Sequence, residues 1–178
     1  MGQKRKLRNS ELGRLSVEGY KSAEKSPIVV VADNVRSMHN IGSIFRTADC
    51  FRVAHFYLCG MSPTPPHAEI EKTALGATQS VDWSHHESTA AVIADLKEQG
   101  YRIAALEQAA HSIDLLEYQP EGPTALVLGH EVIGVAQEVI DACDDVVEIV
   151  QYGTKHSLNV SVSAGLALFE LHAKLVRS

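Results

Sequence analysis

Cysteine is scarce: the chain has three, Cys50, Cys59 and Cys143, and no two of them form a C-x-x-C pair. An odd, scattered set excludes a disulfide framework and offers no zinc-ligand spacing, so buried free thiols and no metal site are expected. Long hydrophobic runs are also missing. None approaches the roughly 18–20 apolar residues that span a bilayer, and the basic start at Lys4, Arg5, Lys6 and Arg8 is not followed by the apolar core of a secretory signal. A soluble, cytoplasmic protein with no membrane partner is expected. Internal repeats and low-complexity tracts are absent, and so is the G-x-G-x-x-G fingerprint of dinucleotide folds. Positive charge is in short supply too. A net charge of −6 does not by itself suggest a nucleic-acid partner.

What is present is enough apolar residue, 45% of 178, to bury one sizeable core, in a chain too short for two ordinary domains and a linker. Ser26-Pro27 divides a basic arm, residues 1–26, from a body, residues 27–178. Within residues 1–25 seven bases outnumber three acids by four, which leaves −10 on the remainder of a chain whose total is −6. Such an arm is compatible with docking RNA phosphates, although short basic tails also occur on proteins that bind no RNA. Apolar spacing at Leu12, Leu15 and Tyr20 allows a helix over residues 9–22, weakened by Gly13 and Gly19.

From Ile28 onward, apolar or β-branched runs at residues 28–32, 55–59, 80–83, 101–106, 125–128 and 146–150 alternate with segments of helical period. The helices are expected at residues 41–51, 69–75, 89–99, 136–142 and 158–174, with Ser88 as an N-cap and Gly100 as a C-terminal stop. This alternation predicts an α/β domain with a mostly parallel sheet and helices on both faces. Ligands of such sheets bind beyond the carboxyl ends of the strands, which here means after Ala32, Leu128 and Val150.

Three segments occupy those positions. The first carries Asn40-Ile41-Gly42 and Arg46, where free N–H groups at a helix start and a guanidinium one to two turns on suit a phosphate or carboxylate; a helix capped by Asn40, with Arg46 in solvent, is the plainer alternative. The second, Leu128-Gly129-His130-Glu131 to Gly134, frames one carboxylate with two glycines, and Glu131 could pair with Arg46 or with a ligand hydroxyl. An ordinary tight connection would have the same residues. In the third, Ser157 and Asn159 stand where they could cap the last helix or share a polar edge with a ligand. Trp83, His85 and His86 suggest base stacking, but a surface loop after a strand is the expectation.

Taken together, Asn40-Ile41-Gly42-x3-Arg46, Gly129-x-Glu131-x2-Gly134 and Ser157-Leu158-Asn159-Val160-Ser161 resemble, in order and spacing, the three motifs of the SpoU or TrmH-like branch of the SPOUT RNA methyltransferases. The resemblance runs from Ile28 to the C-terminus. It implies a trefoil knot from about residue 125 onward, S-adenosyl-L-methionine as cofactor, a homodimer, and methylation of a ribose 2′-hydroxyl of RNA, with tRNA placed ahead of rRNA. Leu128, Gly129, Gly134, Ile149 and Leu158 would line the cofactor pocket. Arg46 would be the catalytic residue, acting on a cofactor held by the other chain, with Asn40 shaping the first loop, Glu131 orienting Arg46, and Ser157 and Asn159 positioning the ribose. The chain departs from the family pattern at His130, where a small or amide residue is commoner, and at Val150-Gln151, where Pro-Met is frequent. Two other readings remain: an RNA-binding protein that keeps the fold without the chemistry, and an unrelated α/β enzyme acting on a small phosphorylated metabolite.

Overall fold

The computed structural model describes residues 4–176. Among them, strands β1 (Ser26–Asp33), β2 (Val53–Cys59), β3 (Trp83–His86), β4 (Arg102–Leu106), β5 (Ile113–Asp114), β6 (Thr124–Leu128) and β7 (Asp145–Glu148) form one sheet. Their order is β3-β2-β1-β6-β4-β7-β5, and every neighbouring pair is parallel. The helices are α1 (Val17–Ser22), α2 (Met38–Cys50), α3 (Ala68–Ala74), α4 (Ala77–Ser80), α5 (Thr89–Glu98), α6 (Gln137–Ala142) and α7 (Val160–Val176).

β1 shows why the sheet is parallel and covered. Ile28, Val30 and Ala32 point into a core shared with Ile41 and Phe45 of α2 and Leu168 of α7. Val29 and Val31 point the other way, among Val92 and Leu96 of α5 and Val139 of α6. A strand buried on both faces reads as a continuous apolar run, as this one does.

Several boundaries differ from expectation for identifiable reasons. α2 starts at Met38, because Ser37 takes the cap by accepting from the Asn40 N–H at 3.3 Å, and Asn40 lies inside the helix. Ser80 ends α4 instead of opening a strand, its hydroxyl donating to Ala77 O and to the Asp49 carboxylate. Trp83, His85 and His86 form edge strand β3, paired with β2, and not a loop. The arm has a single 3-10 turn at Asn9–Glu11 and then α1, with Gly13 between them at φ +60. Ser88 does cap α5, and Gly100 ends it at φ +85. β5, two residues long, is too short for periodicity to register.

Gly42 holds α2 against α3. A Cβ there would lie 2.1 Å from Thr73 Oγ1 and 2.2 Å from Ile70 O, so any larger residue forces the helices apart. Gly42→Ala is expected to lower unfolding free energy by about 1–3 kcal/mol, the usual cost of overpacking. Urea unfolding measures it, and an unchanged midpoint would mean that the crossing is looser than this.

Candidate active site

A cavity of about 530 Å³ opens at the carboxyl ends of β4, β6 and β7, the position that the strand order favours for a ligand. Leu106, Leu128, Ile149 and Leu158 give it apolar lining, and Glu107, Gln108, His130 and Asn159 supply polar groups. Its size lies within the range of small-molecule sites. Among the described residues no group of three or more His, Cys, Asp or Glu side chains is placed to hold a metal, and no helix is long and apolar enough to cross a membrane.

The loop after β6 makes one wall. His130 and Gly134 exchange both backbone hydrogen bonds, at 3.0 and 2.9 Å, which closes a tight turn. Gly134 has φ +72, and a Cβ on Gly129 would come within 2.2 Å of Gly134 C and Val135 N. Both glycines are therefore required by the turn itself. His130 Nδ1 accepts from the N–H groups of Val132 and Ile133 at 2.9 and 3.4 Å, which puts the ring proton on Nε2. An amide oxygen could accept in the same way, so the departure at His130 keeps the loop's geometry.

Glu131 ties this loop to α2. Its carboxylate accepts from the N–H groups of Arg36 and Ser37 at 3.1 and 2.9 Å and from Asn40 Nδ2 at 2.9 Å. Burial pushes its pKa up, but the hydrogen bonds from Asn40, Arg36 and Ser37 outweigh this and hold it below the ordinary carboxylate value. A carboxylate only accepts, so the Asn40 amide must turn its NH2 to Glu131 and its oxygen away. That oxygen accepts from Asn159 Nδ2 at 3.1 Å. Asn159 Oδ1 in turn accepts from Ser161 N and Oγ, at 2.9 and 2.6 Å, and so caps α7. One oriented chain, Asn159 to Asn40 to Glu131, thus joins all three sequence segments.

The remaining sequence candidates divide. Leu128, Gly129, Gly134, Ile149, Ser157 and Leu158 all line the cavity. Arg46 does not. It is exposed in a second groove with Arg14 and Arg52, and it makes no contact with Glu131, whose partners are those of the α2 start. Within one chain Glu131 does not meet Arg46: the backbone donors at a helix N-terminus claim the carboxylate.

Sequence reading missed Glu107, Gln108 and Asp33. Glu107 accepts from Val135 N at 3.0 Å and Gln108 N at 2.8 Å, bracing the turn from the end of β4, while Gln108 Nε2 donates to His156 O at 2.8 Å across the cavity mouth. Buried Asp33 accepts from Thr89 Oγ1 at 2.6 Å and Ala136 N at 3.1 Å. The strand-end rule applied to Leu106 would have found the first two.

A parallel α/β sheet with a cavity of small-molecule size at its strand ends, walled by loops locked together through polar side chains, defines the class: an α/β domain with a candidate small-molecule site. The chain belongs to the SpoU rRNA Methylase family, whose pattern matches residues 27–169. It is 31% identical over 161 residues to the 23S rRNA (guanosine-2′-O-)-methyltransferase RlmB of Vibrio parahaemolyticus, covering 90% of this chain and 64% of that protein. It is 34% identical over 149 residues to the tRNA (guanosine(18)-2′-O)-methyltransferase of Aquifex aeolicus, covering 80% and 67%. The chain thus spans about two thirds of the length of these curated relatives. Among solved structures, the Aquifex aeolicus TrmH/SpoU tRNA modifying enzyme superposes with a TM-score of 0.78 at 29% identity, covering 89% of this chain and 79% of that one. An AdoMet-bound rRNA methyltransferase from Sinorhizobium meliloti gives 0.79 at 26%, covering 86% and 58%.

Proposed function

We propose that this protein transfers a methyl group from S-adenosyl-L-methionine to a ribose 2′-hydroxyl of RNA, in the cytoplasm and as a homodimer. The observation that carries the reading is the hydrogen-bonded chain Asn159–Asn40–Glu131, which joins the three family segments beside one cavity of cofactor size. The cavity residues fit that cofactor: apolar Leu106, Leu128, Ile149 and Leu158 suit a flat base, and Gly129, which has no side chain, lets the backbone approach its edge. Bound there, S-adenosyl-L-methionine supplies an electrophilic methyl group.

Arg46 is the residue assigned to the hydroxyl. A guanidinium has five donors, no acceptor and a pKa above about 12, so it is a poor base. Its role is to clamp the phosphate next to the target ribose and to stabilise negative charge developing on the 2′-oxygen, while water or another acceptor takes the proton. Because Arg46 lies outside its own chain's cavity, it serves the cavity of a second copy. Exposed apolar side chains support that pairing: Val132 and Ile133, 85% and 76% exposed, rim the cavity, and Val162, Leu166 and Phe169 share one stripe of α7. We further propose that the chain from residue 125 onward is threaded as a trefoil knot, a reading supported by the return of α7 from β7 to α2 and β1 and by the Gln108–His156 bond.

The Aquifex relative is a tRNA enzyme, and tRNA is the substrate class proposed; the Vibrio relative makes 23S rRNA the second reading. Incubation with radiolabelled S-adenosyl-L-methionine and separate tRNA and rRNA fractions tests both. Label in tRNA alone is expected, label in rRNA alone favours the second reading, and label in neither rejects the activity. Gly129→Ala tests the cavity. Its Cβ has no room against Gly134 and Val135, so the turn must open, and calorimetry should show cofactor affinity falling about tenfold or more, a loss of roughly 1.4 kcal/mol.

A further inference from the structure

The groove that holds Arg46 has an occupant of its own to explain. It measures about 630 Å³ and runs between the arm and helices α2 and α4. Three arginines line it from three places in the chain: Arg14 on the arm, Arg46 on α2 and Arg52 in the turn after α2. All three are exposed, and none makes a side-chain hydrogen bond or ion pair among the described residues. Arg5 and Arg102 are paired with Glu11 and Asp145, and the other unpaired arginines among the described residues, Arg8 and Arg36, lie outside this groove. The lining has one carboxylate, Asp49, and Ser80 Oγ already donates to it. Three guanidinium groups facing one engaged carboxylate make a positive groove on a protein whose net charge is −6. Such a groove concentrates anions that the rest of the surface repels.

Its outer wall is fixed. The arm is docked by Tyr20, 4% exposed, whose hydroxyl donates to Val53 O at 3.4 Å. Lys25 Nζ donates to the carbonyls of Tyr20 and Ala23 at 2.6 and 3.1 Å, and Ser16 Oγ caps α1 by accepting from Gly19 N at 3.1 Å. Arg14 therefore sits on an anchored segment. Forked guanidinium groups on fixed supports are suited to phosphate oxygens, which they can bind in pairs. The groove shares no lining residue with the cofactor cavity.

We propose that this groove is the path of the RNA backbone, with Arg14 and Arg52 gripping phosphates that flank the nucleotide addressed by Arg46. The inference rests on the methyltransferase reading for the role of Arg46, but its own content is phosphodiester binding by Arg14 and Arg52. The arm is then part of the substrate site, closing with Arg14 a grip that Arg46 and Arg52 of the body begin.

The test uses the full chain, bulk tRNA carrying a fluorescent label, and the double variant Arg14→Gln/Arg52→Gln. Anisotropy titrations at several salt concentrations should show affinity about tenfold or more lower than wild type, with the slope of log K against log salt reduced by about two, one for each phosphate no longer gripped. Steady-state methyl transfer should show a raised KM for RNA with kcat kept, and cofactor affinity should not change. Lys97→Gln, on the opposite face in an ion pair with Asp144, is the charge control and should leave RNA binding as it was. Arg14→Gln alone covers the case in which the double variant misfolds, and it should lower the slope by about one. Unchanged affinity and slope in the folded variants, or no tRNA binding by wild type, overturns the inference. Failure of the activity reading shows separately, as wild-type protein that binds tRNA through these arginines but transfers no label.

Discussion

Arg46→Ala should abolish most methyl transfer while leaving the protein folded and the cofactor bound. Removing one preorganised donor from a developing oxyanion commonly costs about 10²–10³ in rate, and the same substitution here also removes the phosphate clamp. The side chain is exposed and unpaired, so unfolding free energy should change by no more than about 0.5 kcal/mol. It lies outside its own chain's cavity, so cofactor affinity should be unchanged as well. Mixing sharpens the prediction. A heterodimer of an Arg46→Ala chain with a Gly129→Ala chain contains one intact cavity facing one intact arginine. At cofactor concentrations that the Gly129→Ala cavity cannot fill, activity should rise in that mixture well above that of either parent. Mixed dimers no more active than their parents would place Arg46 and the cofactor it serves in one chain.

The second large effect is expected at Glu131, through structure and not through chemistry. Glu131→Ala strips the acceptor from two backbone N–H groups at the start of α2 and from Asn40, and so frees Asn40 and Asn159 to turn. Charge-assisted bonds to partly buried donors are worth about 1.5–3 kcal/mol each at best and are not additive; a total loss of about 2–4 kcal/mol is expected. Cofactor affinity should fall with it, because the loop that Glu131 anchors is a cavity wall. The pH dependence has a definite sign. The folded-state pKa lies below the ordinary value because Asn40, Arg36 and Ser37 overcome the effect of burial. Its stabilising contribution is therefore complete above the ordinary carboxylate value and is lost as pH falls through the depressed one. Wild type and Glu131→Gln should differ most in thermal midpoint near neutrality and converge in acid. A constant difference across that range would mean that the charge of Glu131 is not what α2 needs.

How much of this could be read in the sequence varies from residue to residue. The run Ile28–Ala32 announced a doubly buried strand because an unbroken apolar run reports burial on both faces, the usual state of parallel strands covered by helices above and below. Strand order was not legible, since β6 lies between β1 and β4 through pairings far apart in sequence. The rule that ligands meet strand ends pointed to the loops after Leu128 and Val150, and the residues that the family resemblance named there, Leu128, Gly129, Gly134, Ile149, Ser157 and Leu158, line the cavity. The same rule, not applied after Leu106, missed Glu107 and Gln108. An intrachain pair of Glu131 with Arg46 meets competition that charge alone does not reveal: the N–H groups of Arg36 and Ser37 at the start of α2 donate to that carboxylate at 3.1 and 2.9 Å. Helix geometry carries the warning, for at about 100° per residue the six-residue step from Asn40 to Arg46 puts them on different faces of α2. Asn40 consequently faces the cavity network and Arg46 faces the groove.

The central claim is chemical, that the methyl group goes to a ribose oxygen and not to a base, and alkaline hydrolysis of the labelled RNA tests it most directly. A 2′-O-methyl group removes the hydroxyl that attacks the neighbouring phosphate, so label should survive in alkali-resistant dinucleotides and be recovered as a 2′-O-methylated nucleoside after enzymatic digestion. Label recovered in mononucleotides carrying a methylated base would contradict the account.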